Sequence, residues 1–431
     1  MLKCAVLTTL NPAHDGLIKS YARTSGSDFS VGSLENPFAT LEGCSRRVET
    51  ALYGRRRHTI DISGLTDSRE VLEGFITPRT AGRVTFDPAP TEHPSFLIDA
   101  PFMVRAVPTT VLTIPTFNTT VEDTHDMLTV TVPGASWTTD EWAGFMLGGS
   151  GYAESCMISR NTNDTLYIAC GVPMTGPLEI WDYSATLDFG VTGDFNAGLE
   201  LHTYGSALFQ GIRFSTKSTG FAVTLECRGG GTTYLSNCRF DGGLQVKGSG
   251  TVVLDNCYIT GRFGFDNNVE VTMGRSAMYQ AAAASHAGDF SFSSVRVREC
   301  GPLGHGGSGT VMGTFDLRNC EILDGTGNGV DYNGGKRASV RNTVISGCNN
   351  DAVSATNPGL LFLSDVQGSG NGGYGIDAGY GVLVRTVGGT LVTGNLGDIR
   401  PGSLPVDVYA NLPLFDSTGS NPQFVQFSKW A

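Results

Sequence analysis

No apolar run in this chain reaches 18 residues, so no segment is long enough to cross a membrane as a helix. Charge is scarce, at 16% of residues. Basic residues are the scarcer sign, with 29 Lys and Arg against 41 Asp and Glu, a net charge of −12. Such a body lacks the cationic surface that phosphate neutralisation needs, which argues against nucleic acid as the main partner. The seven histidines are scattered, and no two have metal-ligand spacing, so neither a metal site nor a cofactor is expected. There is no Gly-X-Y period, no sustained heptad, no phosphate-binding loop and no dinucleotide fingerprint. Collagen, coiled-coil and nucleotide-binding classes are thereby set aside.

What the chain has in excess is glycine, 58 of 431 residues. The glycines separate short β-branched or aromatic runs, the pattern of many short strands joined by turns. Apolar residues make up 40%, enough for a large core. The ten cysteines sit inside regular apolar patterns of a long chain. They are expected to be free, buried thiols formed in a reducing compartment. The N-terminal apolar run is too short for a secretory signal, so synthesis in a cytoplasm without one is expected. Residues 1–60 carry eight Lys or Arg and five Asp or Glu, against the trend of the rest. Arg46, Arg47, Arg55, Arg56 and Arg57 concentrate there. They suit either docking of the N-terminal end onto an acidic surface or a solvated helix face.

An internal repeat organises residues 198–400. Phe209, Leu235, Leu254, Met273, Val297, Leu317, Val340 and Leu361 align as markers with spacings of 26, 19, 19, 24, 20, 23 and 21. Three residues on stand Ile212, Cys238, Cys257, Ser276, Cys300, Cys320, Thr343 and Ser364, all small or apolar. Five residues on stand Phe214, Phe240, Ile259, Met278, Pro302, Ile322, Ile345 and Val366. Strand side chains alternate with period 2. The step of three breaks that alternation, so one extra residue turns a corner between two strands. Asn237, Asn256, Asn319 and Asn342 occupy the corner, and asparagine tolerates the left-handed backbone it needs. Stacked asparagines would form a hydrogen-bonded ladder. A second apolar column, Val246, Phe265, Val330, Val353 and Ile376, marks a further strand in each coil. Coils of about 20–24 residues with two or three strands each point to a parallel β-helix.

The opening Gly26, Asp28, Gly32, Pro37, Phe38, Thr40 and Leu41 resembles the start of phage tailspike-like and pectate-lyase-like right-handed parallel β-helix proteins. The resemblance implies an all-β fold, a right-handed single-stranded parallel β-helix with an N-terminal capping helix over about Pro37–Tyr53 and a small inserted β module. The expected layout is an N-terminal arm at 1–25, a capping segment at 26–58, first rungs at 59–120 and the inserted antiparallel module at 121–190. The main coil follows at 191–400 and a C-terminal cap or tail at 401–431. The module holds Trp137, Trp142 and Trp181, which either build its core or meet a neighbour. The resemblance further implies a virion location. Partners would be other virion proteins at the N-terminal end, a host surface glycan and copies of the same chain, a trimer being favoured.

Two carboxyl groups about 6.5–9.5 Å apart are what inverting glycoside hydrolysis requires. Asp331 and Asp377 follow the apolar markers Val330 and Ile376, two coils apart on one outward column, and form the candidate catalytic pair. Tyr332, Tyr374 and Tyr380 lie nearby as candidate sugar-stacking residues. Outward strand positions are polar by default, which is the plainer reading of the aspartates. The leading functional reading is structural: a virion-associated spike, appendage or capsid decoration. A polysaccharide depolymerase is the alternative, and a non-cleaving glycan adhesin the third.

Overall fold

The computed structural model describes residues 18–21, 23, 25–39, 58–61, 84–87, 95–98, 102–122, 125, 127–149, 155–170, 174, 176–189, 199–203, 207–216, 223–227, 230–266, 268–304, 313–333, 337–356, 358–379, 382–400 and 406–408. Among these no helix occurs. Of the expected capping helix only residues 37–39 are described, and they are not helical; the rest of it and most of the C-terminal tail fall outside the described residues.

The chain winds as a parallel β-solenoid with three faces. The first face is a ladder in which Phe209, Leu235, Leu254, Met273, Phe292, Leu317, Val340 and Leu363 are direct register partners from coil to coil. The ladder extends back through Phe102–Arg105 and His58–Asp61 to Ile18–Tyr21, and forward through Val382–Val387 to Val406–Val408. The coil therefore continues past residue 400, where the glycine-rich pattern stops. The second face stacks Phe214, Phe240, Ile259, Met278, Val297, Ile322 and Ile345. The third stacks Leu225, Val246 and Phe265 early and Val330, Val353, Ile376 and Ile399 late.

Two sequence markers belong elsewhere. Val297 lies on the second face, and Phe292 holds its place on the first; Leu363, not Leu361, is the last marker. Both errors have one cause. Inward positions recur every two residues along a strand, and the extra corner residue puts the next face's inward position five on, so a residue two or five positions away satisfies the same apolar template. With the register corrected, the position three after each marker reads Ile212, Cys238, Cys257, Ser276, Val295, Cys320, Thr343 and Val366, and all eight are completely buried. Cys300 instead lines a different corner, where its Sγ accepts from the Ala281 N–H. Buried polar members of the column are satisfied locally. Ser276 Oγ accepts from Cys257 N–H and donates to Gly274 O, and Thr343 Oγ1 accepts from Cys320 N–H. All eight cysteines among the described residues are buried and lie outside any disulfide.

The corner between the first and second faces is left-handed on nine successive coils. Gly211, Asn237, Asn256, Arg275, Ser294, Asn319, Asn342, Asp365 and Gly388 all have φ between 47° and 71°. The expected ladder forms in two places: Asn256 Nδ2 donates to Asn237 Oδ1 at 2.6 Å, and Asn342 Nδ2 to Asn319 Oδ1 at 3.0 Å. Left-handed backbone costs a non-glycine, non-asparagine residue about 1–2 kcal/mol. Asn256→Ala adds the loss of a buried hydrogen bond, worth about 1 kcal/mol. Urea unfolding should therefore show a loss of about 2–3 kcal/mol for this variant. A change below about 0.5 kcal/mol, the size expected of a surface change, would contradict the corner's role.

The opening motif has a local explanation. The ring of Phe38, 1% exposed, lies against Gly32, where any Cβ would come within 2.2 Å of it. Phe38 N–H donates to Tyr21 O, and Asp28 Oδ1 accepts from Ala39 N–H. The motif thus ties the entry loop to the first described strand. Val84–Asp87, expected as an early rung, pairs antiparallel with Ser95–Ile98 and forms a hairpin instead. Both runs alternate alike, so sequence alone could not separate a rung from a hairpin arm.

The inserted module interrupts one coil between its first and second faces, after Phe102–Arg105 and before Ala185–Phe189. It is one antiparallel sheet of seven strands, ordered Thr109–Ile114, Leu178–Asp182, Met146–Gly149, Cys156–Asn161, Thr165–Ile168, Met127–Thr131, Asn118–Glu122. Its first two strands come from the stretch read as early rungs. They are Thr-rich and largely exposed, so their pattern carried no sign of the module's core. Leu128, Val130, Leu147, Ile158, Leu166 and Ile180 fill that core; Trp137, Trp142 and Phe145 pack against it, with Trp142 edge-on to both of the others.

Candidate functional site

The outward residues of the third face form two columns near its C-terminal end. Asp331 is in register with Ser354, and Ser354 with Asp377; Arg400, one residue past Ile399, extends this line. Asp331 and Asp377 thus stand two rungs apart, about 9.6 Å along the backbone. Three residues earlier on the same coils stand Asn328, Asp351 and Tyr374. Asn328 Oδ1 accepts from Asp351 N–H at 3.1 Å, and Asp351 Oδ1 accepts from Tyr374 N–H at 2.6 Å. Gly373 makes room for this: a Cβ there would fall 2.2 Å from Asp351 Oδ1.

Three carboxylates therefore share one patch. Burial pushes the Asp351 carboxyl above its ordinary value. The Tyr374 N–H pulls it back, Asp377 adds to the rise, Arg400 opposes and Asp331 adds again. Arg400 Nη1 donates to Asp377 Oδ2 at 2.8 Å. A half-buried carboxyl held above its ordinary value is suited to donate a proton. Asp351 was missed in the sequence because it lies in a turn, off the strand alternation used to pick Asp331 and Asp377.

The tyrosines separate. Tyr332 is completely buried, its ring edge-on to Phe315 and its hydroxyl accepting from Leu360 N–H. It is a core residue and offers no face to a sugar; an even-numbered step along the strand from Val330 turns it inward. Tyr374 is half-buried beside the carboxylates. Tyr380 lies outside the described residues, as do Arg46, Arg47, Arg55, Arg56 and Arg57.

A second cluster fastens the module to the solenoid. Arg296, 2% exposed, points outward from the second face into the module. Its Nη1 donates to Glu321 Oε2 at 2.6 Å, Nη2 to Glu122 Oε2 at 3.0 Å and to Leu128 O at 3.3 Å, and Nε to Ile168 O at 3.1 Å. His125 Nε2 lies 2.7 Å from Glu122 Oε2 and 3.8 Å from Glu321 Oε1. The ligand atoms of Glu122, His125 and Glu321 fall within 4.8 Å of one another, a spacing a cation could use. The Arg296 guanidinium already engages both carboxylates, so the donor set is matched to that residue. Sequence reading did not single out this cluster, because nothing in a strand pattern tells which outward positions a module will cover.

Burial raises the Glu122 carboxyl, but His125 and Arg296 outweigh it and the net shift is downward. A carboxyl lowered on folding stabilises the fold above its unfolded value, about 4, and loses that contribution as pH falls through the lowered folded value. Acid titration followed by tryptophan fluorescence should show module loosening below about pH 4. Glu122→Gln should flatten that transition, and an unchanged acid transition would contradict this.

No family model and no curated protein matches the chain. Solved structures with similar chains include one described as a glycoside hydrolase, 10% identical, covering 93% of this chain and 97% of that one, at a TM-score of 0.38. A rhamnogalacturonan lyase is 11% identical over 91% of this chain and 84% of its own, at 0.32. The tailspike protein gp49 from Pseudomonas phage LKA1 is 14% identical over 77% of this chain and 60% of its own, at 0.26. These values carry no argument about activity. What stands on the strand register itself is the architecture: the chain is an all-β parallel β-solenoid.

Proposed function

We propose that the chain is a structural β-helix protein of a phage or phage-like virion, a spike, appendage or capsid decoration whose coil meets a host surface glycan. The supporting observation is the first-face ladder, which stacks parallel strands in register from Ile18–Tyr21 to Val406–Val408. A rod of this kind holds one end on a particle and carries its flanks away from it. The basic group Arg46, Arg47, Arg55, Arg56 and Arg57 is the proposed docking end. Reversing all five to glutamate should remove the full-length chain from purified particles while leaving its circular dichroism unchanged. Full incorporation of that variant would contradict the reading.

One observation favours a second reading, hydrolysis of the glycan: Asp351, with a raised carboxyl, sits among Asp331, Asp377 and Arg400. In this reading Asp351 protonates the leaving oxygen, and Asp331 or Asp377 takes the proton of the attacking water. Asp351 lies on the coil between those of Asp331 and Asp377, one rung from either base. Purified protein incubated with host capsule or lipopolysaccharide should then release new reducing ends. Asp351→Asn should lower the rate at least about 100-fold, the usual loss of a general acid. Full activity in Asp351→Asn would remove this assignment. Glycan retained without any product would leave a non-cleaving adhesin.

A further inference from the structure

Four arginines gather on the outward side of the first face, within four successive coils of an otherwise acidic chain. Arg318 and Arg341 are direct register partners on adjacent rungs. Phe362 follows on the next coil, in register with Ser339 before it and Arg385 after it. The guanidinium of Arg337 lies over the Phe362 ring, 4.9 Å from its centroid. Arg318 Nε donates to Asp316, and Arg341 Nε to Ser339 Oγ. Among the described residues no carboxylate is paired with Arg337 or Arg341. Like charges directly opposite one another on neighbouring strands destabilise a sheet. Arg318 offsets part of that cost through Asp316, but among the described residues no ion pair accounts for Arg341 or for the exposed Arg337.

We propose that this patch binds an anionic polysaccharide, which deepens the glycan contact proposed above. Guanidinium forks match carboxylate, sulfate and phosphate oxygens in a bidentate way that a flexible ammonium does not. Phe362, half-buried and fixed by strands on both sides, holds the Arg337 guanidinium over its ring and so presents that fork in a set position. The rigid ladder holds these groups at fixed spacing, so little ordering is lost on binding. A repeating polymer with one charge per unit suits a surface that repeats every rung. The patch lies on a different face from Asp351, so it can bind whether or not hydrolysis occurs, and the two are tested separately.

The test is affinity electrophoresis of the full chain in gels containing polygalacturonate, dextran sulfate, neutral dextran or single-stranded DNA. Polygalacturonate and dextran sulfate should retard the protein, and neutral dextran should not. Arg337→Gln with Arg341→Gln should weaken polygalacturonate binding about tenfold or more, with unchanged thermal melting. Should the double variant fold poorly, Arg337→Gln alone, at an exposed site, should still weaken binding measurably. Absence of retardation by both anionic polysaccharides would overturn the proposal, as would wild-type binding by the variants. Equal, arginine-dependent retardation by single-stranded DNA would also overturn it, in favour of a general polyanion site.

Discussion

Arg296→Ala should destabilise the protein by about 3–5 kcal/mol, one of the two largest single losses expected here. The reason is the burial of charge. Arg296 is 2% exposed, and its guanidinium serves four acceptors drawn from the module and the solenoid. Removing it leaves Glu122 and Glu321 facing each other with only His125 between them. Glu321 is 7% exposed, so water cannot replace the lost donors. Arg296→Lys keeps the charge but not the fork, and should recover only part of the loss. A triple variant, Arg296→Met with Glu122→Leu and Glu321→Leu, should come close to wild-type stability, because a well-packed apolar replacement of a buried ion pair is often neutral. Hydrogen exchange would localise the effect to module strands Met127–Thr131 and Thr165–Ile168. Unchanged stability in Arg296→Ala would show that the cluster does not hold the module.

Phe292→Ala should cost a similar amount, about 3–5 kcal/mol. Phe292 is completely buried, with Phe290 at 4.9 Å and Phe263 at 6.2 Å between ring centroids. Its loss opens a cavity in the middle of a stacked aromatic run that continues through Phe290 and Phe315, 5.1 Å apart. A solenoid coil touches chiefly its neighbours, so the damage should spread only a coil or two each way. Exchange should accelerate in Val269–Gly274 and Phe315–Arg318, and little in Val382–Val387. The adjacent outward change Ser291→Ala should stay within about 0.5 kcal/mol. If both variants behaved alike, the inward and outward assignment of this strand would be wrong.

The coil was legible because its physics is written locally. Asn237, Asn256, Asn319 and Asn342 announce corners, and the small buried residues one step beyond announce a core column. Arg275 and Ser294 take the same left-handed backbone without announcing it, which is why two coils between Cys257 and Cys320 were hard to align. The stacked neighbours impose the corner there and override residue preference. Phe292 and Val297 show the matching limit on the apolar side: both are inward, but on different faces. The carboxylate patch was half legible. Asp331 and Asp377 follow from strand alternation, whereas Asp351 depends on a turn whose shape the spacing does not encode. Tyr332 was misplaced because a short strand ending inward looks, in sequence, like a strand followed by a loop. The Arg296 cluster was not legible at all, since it joins residues 122 and 321 through a packing of module on coil that no local pattern specifies.

The core columns and both surface patches depend above all on which residue of one coil lies beside which residue of the next. Thr272 and Ser291 are outward register partners on neighbouring strands, whereas Ser293 sits two residues further along. Adjacent parallel strands bring partners to about 4.8 Å, within reach of a disulfide, and a shift of two residues carries them beyond about 7 Å, out of reach. Thr272→Cys with Ser291→Cys should therefore oxidise to a cross-link seen by peptide mapping, and Thr272→Cys with Ser293→Cys should not. A cross-link in the second pair and none in the first would contradict the stacked coil described above.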